Sequence, residues 1–230
     1  MSFYTNLDLK SQYKNMKRRD FIKRTAVISA VGLTGGFSLV SLLGKNKKHY
    51  FRPPGALEEN QFLAACIRCG KCIQDCPYDT LKLGSLEDGI NIGTPYIDFR
   101  DVPCQMCADV PCIAACPTTA LNHDLKDVNK SNMGTAVITD REACLSLNGI
   151  RCEICYRVCP LNNKAITLDK HEQSITKRHT VFEPIIHKEF CTGCGICENA
   201  CPLDKTAIKV LPTERGDKAA HYILLREQQT

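Results

Sequence analysis

The sequence predicts a small α+β fold assembled from repeated units around bound ligands, without a large apolar core. Three observations predict it. A cysteine-rich unit recurs four times between residues 60 and 205, short strand-like runs flank the units, and polar stretches separate them. Sixteen of the 230 residues are cysteine, so the count is even and dense. Such a count means either a disulfide scaffold or thiolate ligands for metal, and spacing has to decide.

The four units read Cys66-x2-Cys69-x2-Cys72-x3-Cys76-Pro77, Cys104-x2-Cys107-x4-Cys112-x3-Cys116-Pro117, Cys144-x7-Cys152-x2-Cys155-x3-Cys159-Pro160 and Cys191-x2-Cys194-x2-Cys197-x3-Cys201-Pro202. The first and fourth match the bacterial ferredoxin run without change. Three closely spaced cysteines wrap a tight loop around one cubane, so that their sulfurs reach three irons. Backbone N–H groups of that loop offset the negative charge of sulfide and thiolate. Gly70, Gly193 and Gly195 suit a backbone that must turn tightly and approach closely. The fourth cysteine is expected at a helix start, with proline at the first helical position. In two-cluster ferredoxins that cysteine crosses to the other cluster. Four 4Fe–4S clusters, held by all sixteen cysteines, are therefore expected.

Other chemistries fit less well. A structural zinc site uses two separated Cys-x2-Cys pairs and has no use for a third close cysteine or a trailing Cys-Pro. Cysteines crowded in this way four times over do not readily join as disulfides. No Cys-x-x-Cys-His signals covalent haem. Every cluster has four candidate thiolates and no open iron, which argues against radical chemistry. His49, His123, His171, His179, His187 and His221 are scattered without metal spacing, and no phosphate-binding loop or nucleophile elbow is visible.

The flanking elements follow the repeat. A short helix or turn and an apolar segment are expected after each Cys-Pro, at 80–83, 119–121, 165–168 and 207–211. Strand-like runs at 94–99, 135–139 and 181–187 precede the second, third and fourth units. Paired as two-stranded ribbons, these give two ferredoxin-like double-cluster modules. Stretches 84–93, 122–134 and 169–180 are polar and read as surface loops. The region 51–212 carries the four-cluster fold, followed by a tail at 213–230. So little chain per cofactor means that metal ligation must contribute much of the folding free energy.

The net charge of +5 conceals an asymmetry. Residues 1–50 hold ten Lys/Arg against Asp8 and Asp20, which leaves 20 basic and 23 acidic residues in the remainder. A basic lead on a mildly acidic body argues for targeting and against nucleic acid. Residues 17–24 read Lys-Arg-Arg-Asp-Phe-Ile-Lys-Arg, and an uncharged run diluted by Gly and Ser follows at 25–44. The pair Arg18-Arg19 followed by Phe21 resembles the twin-arginine export signal, an address read by the twin-arginine translocase. Clusters need reduced thiolates, so a cluster protein bound for an oxidising compartment should be loaded before export. No clear small-x-small cleavage site precedes Lys45, so a cleaved signal and a retained membrane anchor both stay open.

Beyond cysteine spacing, the chain resembles the NapG-type ferredoxins of periplasmic nitrate reductase systems and the related MauM-type proteins. The resemblance rests on the twin arginines, Arg52-Pro53-Pro54-Gly55-Ala56, Cys76-Pro77-Tyr78-Asp79-Thr80-Leu81-Lys82-Leu83, Gly93-Thr94-Pro95-Tyr96, Val102-Pro103-Cys104-Gln105-Met106-Cys107 and the insertion running into Arg151-Cys152-Glu153-Ile154-Cys155-Tyr156-Arg157-Val158-Cys159. It implies an electron relay in the periplasm. Electrons would pass from quinol oxidation, with a NapH-type membrane ferredoxin subunit, toward nitrate reductase or its cytochrome donor. It also implies Cys144 as a ligand despite the long gap. The alternatives are an iron–sulfur subunit of another exported oxidoreductase (MauM-type, or nitrite, formate or polysulfide systems) and a zinc-stabilised scaffold. By analogy with four-cluster subunits of molybdenum oxidoreductases, nested pairing is expected, first unit with fourth and second with third. Sequential pairing stays open, because the connecting stretches of 27, 27 and 31 residues do not discriminate.

Overall fold

Among the described residues, a seven-residue lead-in helix and four one-turn helices mark the course of the chain. The computed structural model describes residues 49–172 and 180–212, all within the second of the two units into which the chain divides, His49–Thr230. Helix α1 is Glu59–Ala65, and the one-turn helices are α2 (Lys71–Gln74), α3 (Pro111–Ala114), α4 (Ile154–Arg157) and α5 (Ile196–Asn199). Each one-turn helix carries the third cysteine of its unit and stops just short of the fourth. The stop has a local cause. A residue before proline is pushed out of the helical region, and Cys76, Cys116, Cys159 and Cys201 all precede one. This corrects the expectation that the fourth cysteine opens a helix with proline at its first position: Cys-Pro terminates a helix instead.

Among the described residues six strands form three separate antiparallel ribbons. Strand β1 (Leu81–Leu83) pairs with β2 (Pro95–Ile97), with Leu81 opposite Ile97. Strand β3 (Thr135–Ile138) pairs with β6 (Ile208–Leu211), and β4 (Ile166–Glu172) pairs with β5 (Thr180–Ile186). The stretch 169–180, expected as a loop, is in part strand: Asp169–Glu172 of β4 faces Thr180–Glu183 of β5. The cross-strand contacts explain why polar residues pair here, because Lys170 lies over the Phe182 ring and Glu183 meets Arg141. The apolar segment at 119–121 makes only a single bridge, Leu121 to Ala56, closed by Leu57 N–H to the Ala120 carbonyl and Asn122 N–H to the Gly55 carbonyl.

The fold repeats itself. In the second half β3–β6 and β4–β5 flank helices α4 and α5. In the first half β1–β2 and the 51–57 segment, bridged to Ile97 and Leu121, flank α2 and α3. One apolar cluster, centred on Phe62, Ile113, Leu121 and Ile97, fills the first half. A smaller one of Ala136, Ile166, Cys197 and Ile208 fills the second. Arg18, Arg19, the run at 25–44 and the tail beyond residue 212 lie outside the described residues. Among the described residues no helix is long and apolar enough to cross a membrane.

Candidate iron–sulfur centres

The backbone around the cysteines repeats as closely as their spacing. In Cys66–Cys69, Cys104–Cys107 and Cys191–Cys194 the residue before the second cysteine is left-handed: Arg68 at φ 58°, Met106 at 56° and Gly193 at 71°. The residue that caps the following helix is left-handed as well: Gly70 at 73°, Val110 at 43° and Gly195 at 80°. Left-handed and right-handed residues in succession turn backbone N–H groups toward one side, forming a concavity that favours negative charge. Only some of these positions are glycine. Arg68, Met106 and Val110 hold a conformation that ordinary side chains avoid. The third unit departs from the pattern, since Glu153 caps α4 at φ −121° after the seven-residue insertion.

Helix pairing then sorts the thiols. Helices α2 and α3 pack together, as do α4 and α5. Cys72 feels the charges of Cys116, Cys66 and Cys69, which assembles group one. Cys104, Cys107 and Cys112 surround one cavity with Cys76, giving group two. Cys144, Cys152 and Cys155 line a cavity with Cys201, giving group three. Cys191, Cys194 and Cys197 line another with Cys159, giving group four. All sixteen predicted residues are thus brought together in fours. The nested order is overturned: Cys76 lies with Cys104, not with Cys191, and Cys159 lies with Cys191, not with Cys104. The reason is the one-turn helix. It holds its third and fourth cysteines at opposite ends, and its partner is the helix of the neighbouring unit, which takes the crossing cysteine.

Electrostatics and hydrogen bonds favour a cationic metal core in each group. Burial pushes the Cys72, Cys112 and Cys155 thiols up to about 12, and the neighbouring thiols add to the effect. Burial likewise pushes Cys104 and Cys194 up to about 11, and Cys197 well above the ordinary range. Apolar surroundings crowded with like groups resist ionisation unless positive metal enters. Backbone N–H groups act in the other direction: Met106 on Cys104, Leu161 on Cys159 and Ile196 on Cys194 each favour the thiolate. Ala136 N–H also donates to Cys191 Sγ at 3.4 Å. Among the described residues no three Cys, His, Asp or Glu side chains converge closely enough to hold a single ion. In groups two, three and four the thiols are instead spaced around cavities that are otherwise apolar, an arrangement that fits a cubane, whose irons are reached from four sides.

One residue of structural weight carries no metal. Arg52, in the Arg-Pro-Pro-Gly-Ala segment, is buried and reads as part of a family signature without a visible role. Its guanidinium donates to both oxygens of Glu59, to Asn91 Oδ1, Thr94 Oγ1 and the Pro95 carbonyl, and it stacks over the Phe62 ring at 4.7 Å. The role of Arg52 was missed because its partners are brought together only by the fold.

Residues 65–120 and 150–205 each match the family described as 4Fe-4S dicluster domain; the first span takes in the first two units whole, and the second takes in the fourth unit and the third from Cys152 onward. Over 206 residues the chain is 44% identical to the ferredoxin-type protein NapG of Escherichia coli, covering 89% of this chain and 88% of that one. The chain belongs to the NapG/MauM ferredoxin-type family. The NapG of Haemophilus influenzae is 45% identical over 228 residues, covering 96% and 81%. The methylamine utilization ferredoxin-type protein MauM of Methylorubrum extorquens is 45% identical over 206 residues, covering 88% and 92%. No solved structure matches. As a NapG/MauM protein, the chain is an iron–sulfur protein of the 4Fe–4S kind that transfers electrons.

Proposed function

We propose that the chain holds four 4Fe–4S clusters and relays electrons from membrane quinol oxidation to a periplasmic nitrate reductase. The observation that carries the cluster count is the sorting of all sixteen cysteines into four groups of four. The ligand sets are Cys66, Cys69, Cys72 and Cys116; Cys76, Cys104, Cys107 and Cys112; Cys144, Cys152, Cys155 and Cys201; and Cys159, Cys191, Cys194 and Cys197. Bound there, the clusters supply one-electron chemistry without bond making. The protein's part is to bury them, to neutralise their charge with backbone N–H groups and to space them.

The likeness to NapG supports the route. It suggests a NapH-type membrane ferredoxin subunit as donor and nitrate reductase, or its cytochrome, as acceptor. Export through the twin-arginine translocase, directed by Arg18 and Arg19, would place the loaded protein in the periplasm, associated with the membrane through its partner or a retained signal segment. The equal likeness to MauM supports a second reading, service to another exported oxidoreductase.

Deletion of the gene decides between them. It should slow quinol-dependent nitrate reduction while leaving nitrate reductase active with an artificial dye donor, and Arg18→Lys with Arg19→Lys should reproduce the defect. Unchanged quinol-linked nitrate reduction, in a strain without other quinol dehydrogenases, would reject the nitrate assignment and leave the cluster assignment standing.

A further inference from the structure

The two halves meet along one seam, and the seam runs between groups two and four. Cys104 N–H donates to the Cys194 carbonyl at 3.0 Å, and the Cys104 thiol feels the charge of Cys194 across the seam. Met106, held left-handed inside the group-two loop, sends its side chain into the group-four cavity, where Thr192 Oγ1 lies 3.5 Å from its sulfur. The seam is also pinned beside the cysteines. Asn199 Nδ2 donates to the carbonyls of Phe99, Arg100 and Asp101, and the Arg100 guanidinium donates back to those of Glu198, Asn199 and Cys201. The other adjacencies lie within the halves: Cys112 of group two faces Cys72 of group one, and Cys197 of group four faces Cys155 of group three.

We propose that the two halves form one conducting line, ordered group one, group two, group four, group three, and that Cys104, Met106, Thr192 and Cys194 build its crossing between halves. The order differs from the order of the units in the chain. It places groups one and three at the two ends, and electrons entering at either end cross the seam to leave at the other. A single electron moves at each step: the group it leaves is oxidised by one electron, the group it reaches is reduced by one, and no bond or proton changes place. Met106 fills the gap between the two centres with close-packed, polarisable atoms in place of a void or water. Arg100 and Asn199 are positioning residues that hold the seam shut.

The inference rests on a cluster in each group, and the test separates the two claims. Holoprotein purified anaerobically and reduced with dithionite is studied by cryogenic EPR, where neighbouring reduced clusters broaden each other's signals. Cys107→Ser gives group two a harder oxygen ligand, which lowers its potential so that it stays oxidised and silent. Groups one and four should then both sharpen and group three should not change, whereas Cys152→Ser should sharpen group four alone. An unchanged group four in Cys107→Ser, or an altered group one in Cys152→Ser, overturns the order. An iron content of the parent protein too low for four cubanes would instead count against the cluster assignment. Met106→Ala, which removes no ligand and leaves the Met106 backbone N–H in place, covers the case in which the serine variants fail to fold. Its iron content should match the parent, flash-induced redistribution of electrons between halves should slow several-fold, and Met106→Leu should restore it. An unslowed rate in Met106→Ala removes Met106 from the crossing.

Discussion

Gly195 and Gly70 occupy the same place in the repeat, yet the fold asks different things of them. Both cap a one-turn helix in the left-handed region, at φ 80° and 73°. A Cβ at Gly195 would lie 2.1 Å from Cδ1 of the Phe99 ring, whereas a Cβ at Gly70 would meet nothing within 4 Å. Gly195→Ala therefore combines backbone strain with a clash at the seam and should cost about 3 kcal/mol or more. Gly70→Ala carries strain alone, about 1–2 kcal/mol. Thermal loss of cluster absorbance should show a large shift for the first and a small one for the second, and equal shifts would refute the reading of the seam. Arg52 belongs to the same scale. Arg52→Lys keeps the charge but cannot serve Glu59, Asn91, Thr94 and Pro95 together, and should destabilise the loaded protein by about 1–3 kcal/mol in chemical unfolding. A variant as stable as the parent would mean that the guanidinium fork contributes nothing.

At the scale of the element, the one-turn helix is the unit of construction. Four residues with a cysteine inside and Cys-Pro beyond give two ligands aimed at different centres. Two such helices packed together therefore make two complete sets. Cys76→Ala should damage the centre of Cys104, Cys107 and Cys112 and spare that of Cys191, Cys194 and Cys197, as read by the loss of one EPR signal with the magnetic neighbour of group four removed. Nested pairing would place the loss directly in group four. The sequence spelled out the ligands of each set's first three positions, because they are close in the chain. Where the fourth ligand goes is a question of which helices pack. Connecting stretches of similar length leave that choice open.

At the scale of the whole molecule, little apolar surface among the described residues is gathered beyond the two clusters around Phe62 and Ile166. The thiol groups lie among those same residues, with Cys72, Cys104, Cys112 and Cys197 themselves buried. Without metal, these crowded thiols have no positive partner, and the left-handed residues around them have nothing to offset their strain. Removing iron with a chelator under anaerobic conditions should therefore unfold the chain together with its colour, since ligation supplies folding free energy. Circular dichroism that stayed native after complete iron removal would show that the polypeptide alone suffices.

By itself the sequence determined the chemistry. Sixteen cysteines in four repeated spacings, the trailing prolines and the glycines of the loops specified cubane centres and two ferredoxin-like modules, because those constraints act over a few residues. Local spacing also marked the one-turn helices as sites of ligation, although it misjudged which side of the fourth cysteine they lie on. Tertiary structure alone decided the pairing of groups, the use of residues 51–57 to complete the first half, the burial of Arg52 and the seam between Cys104 and Cys194. These rest on contacts between residues tens of positions apart, and such contacts are selected by which apolar faces and helices pack together, a choice that no local spacing encodes.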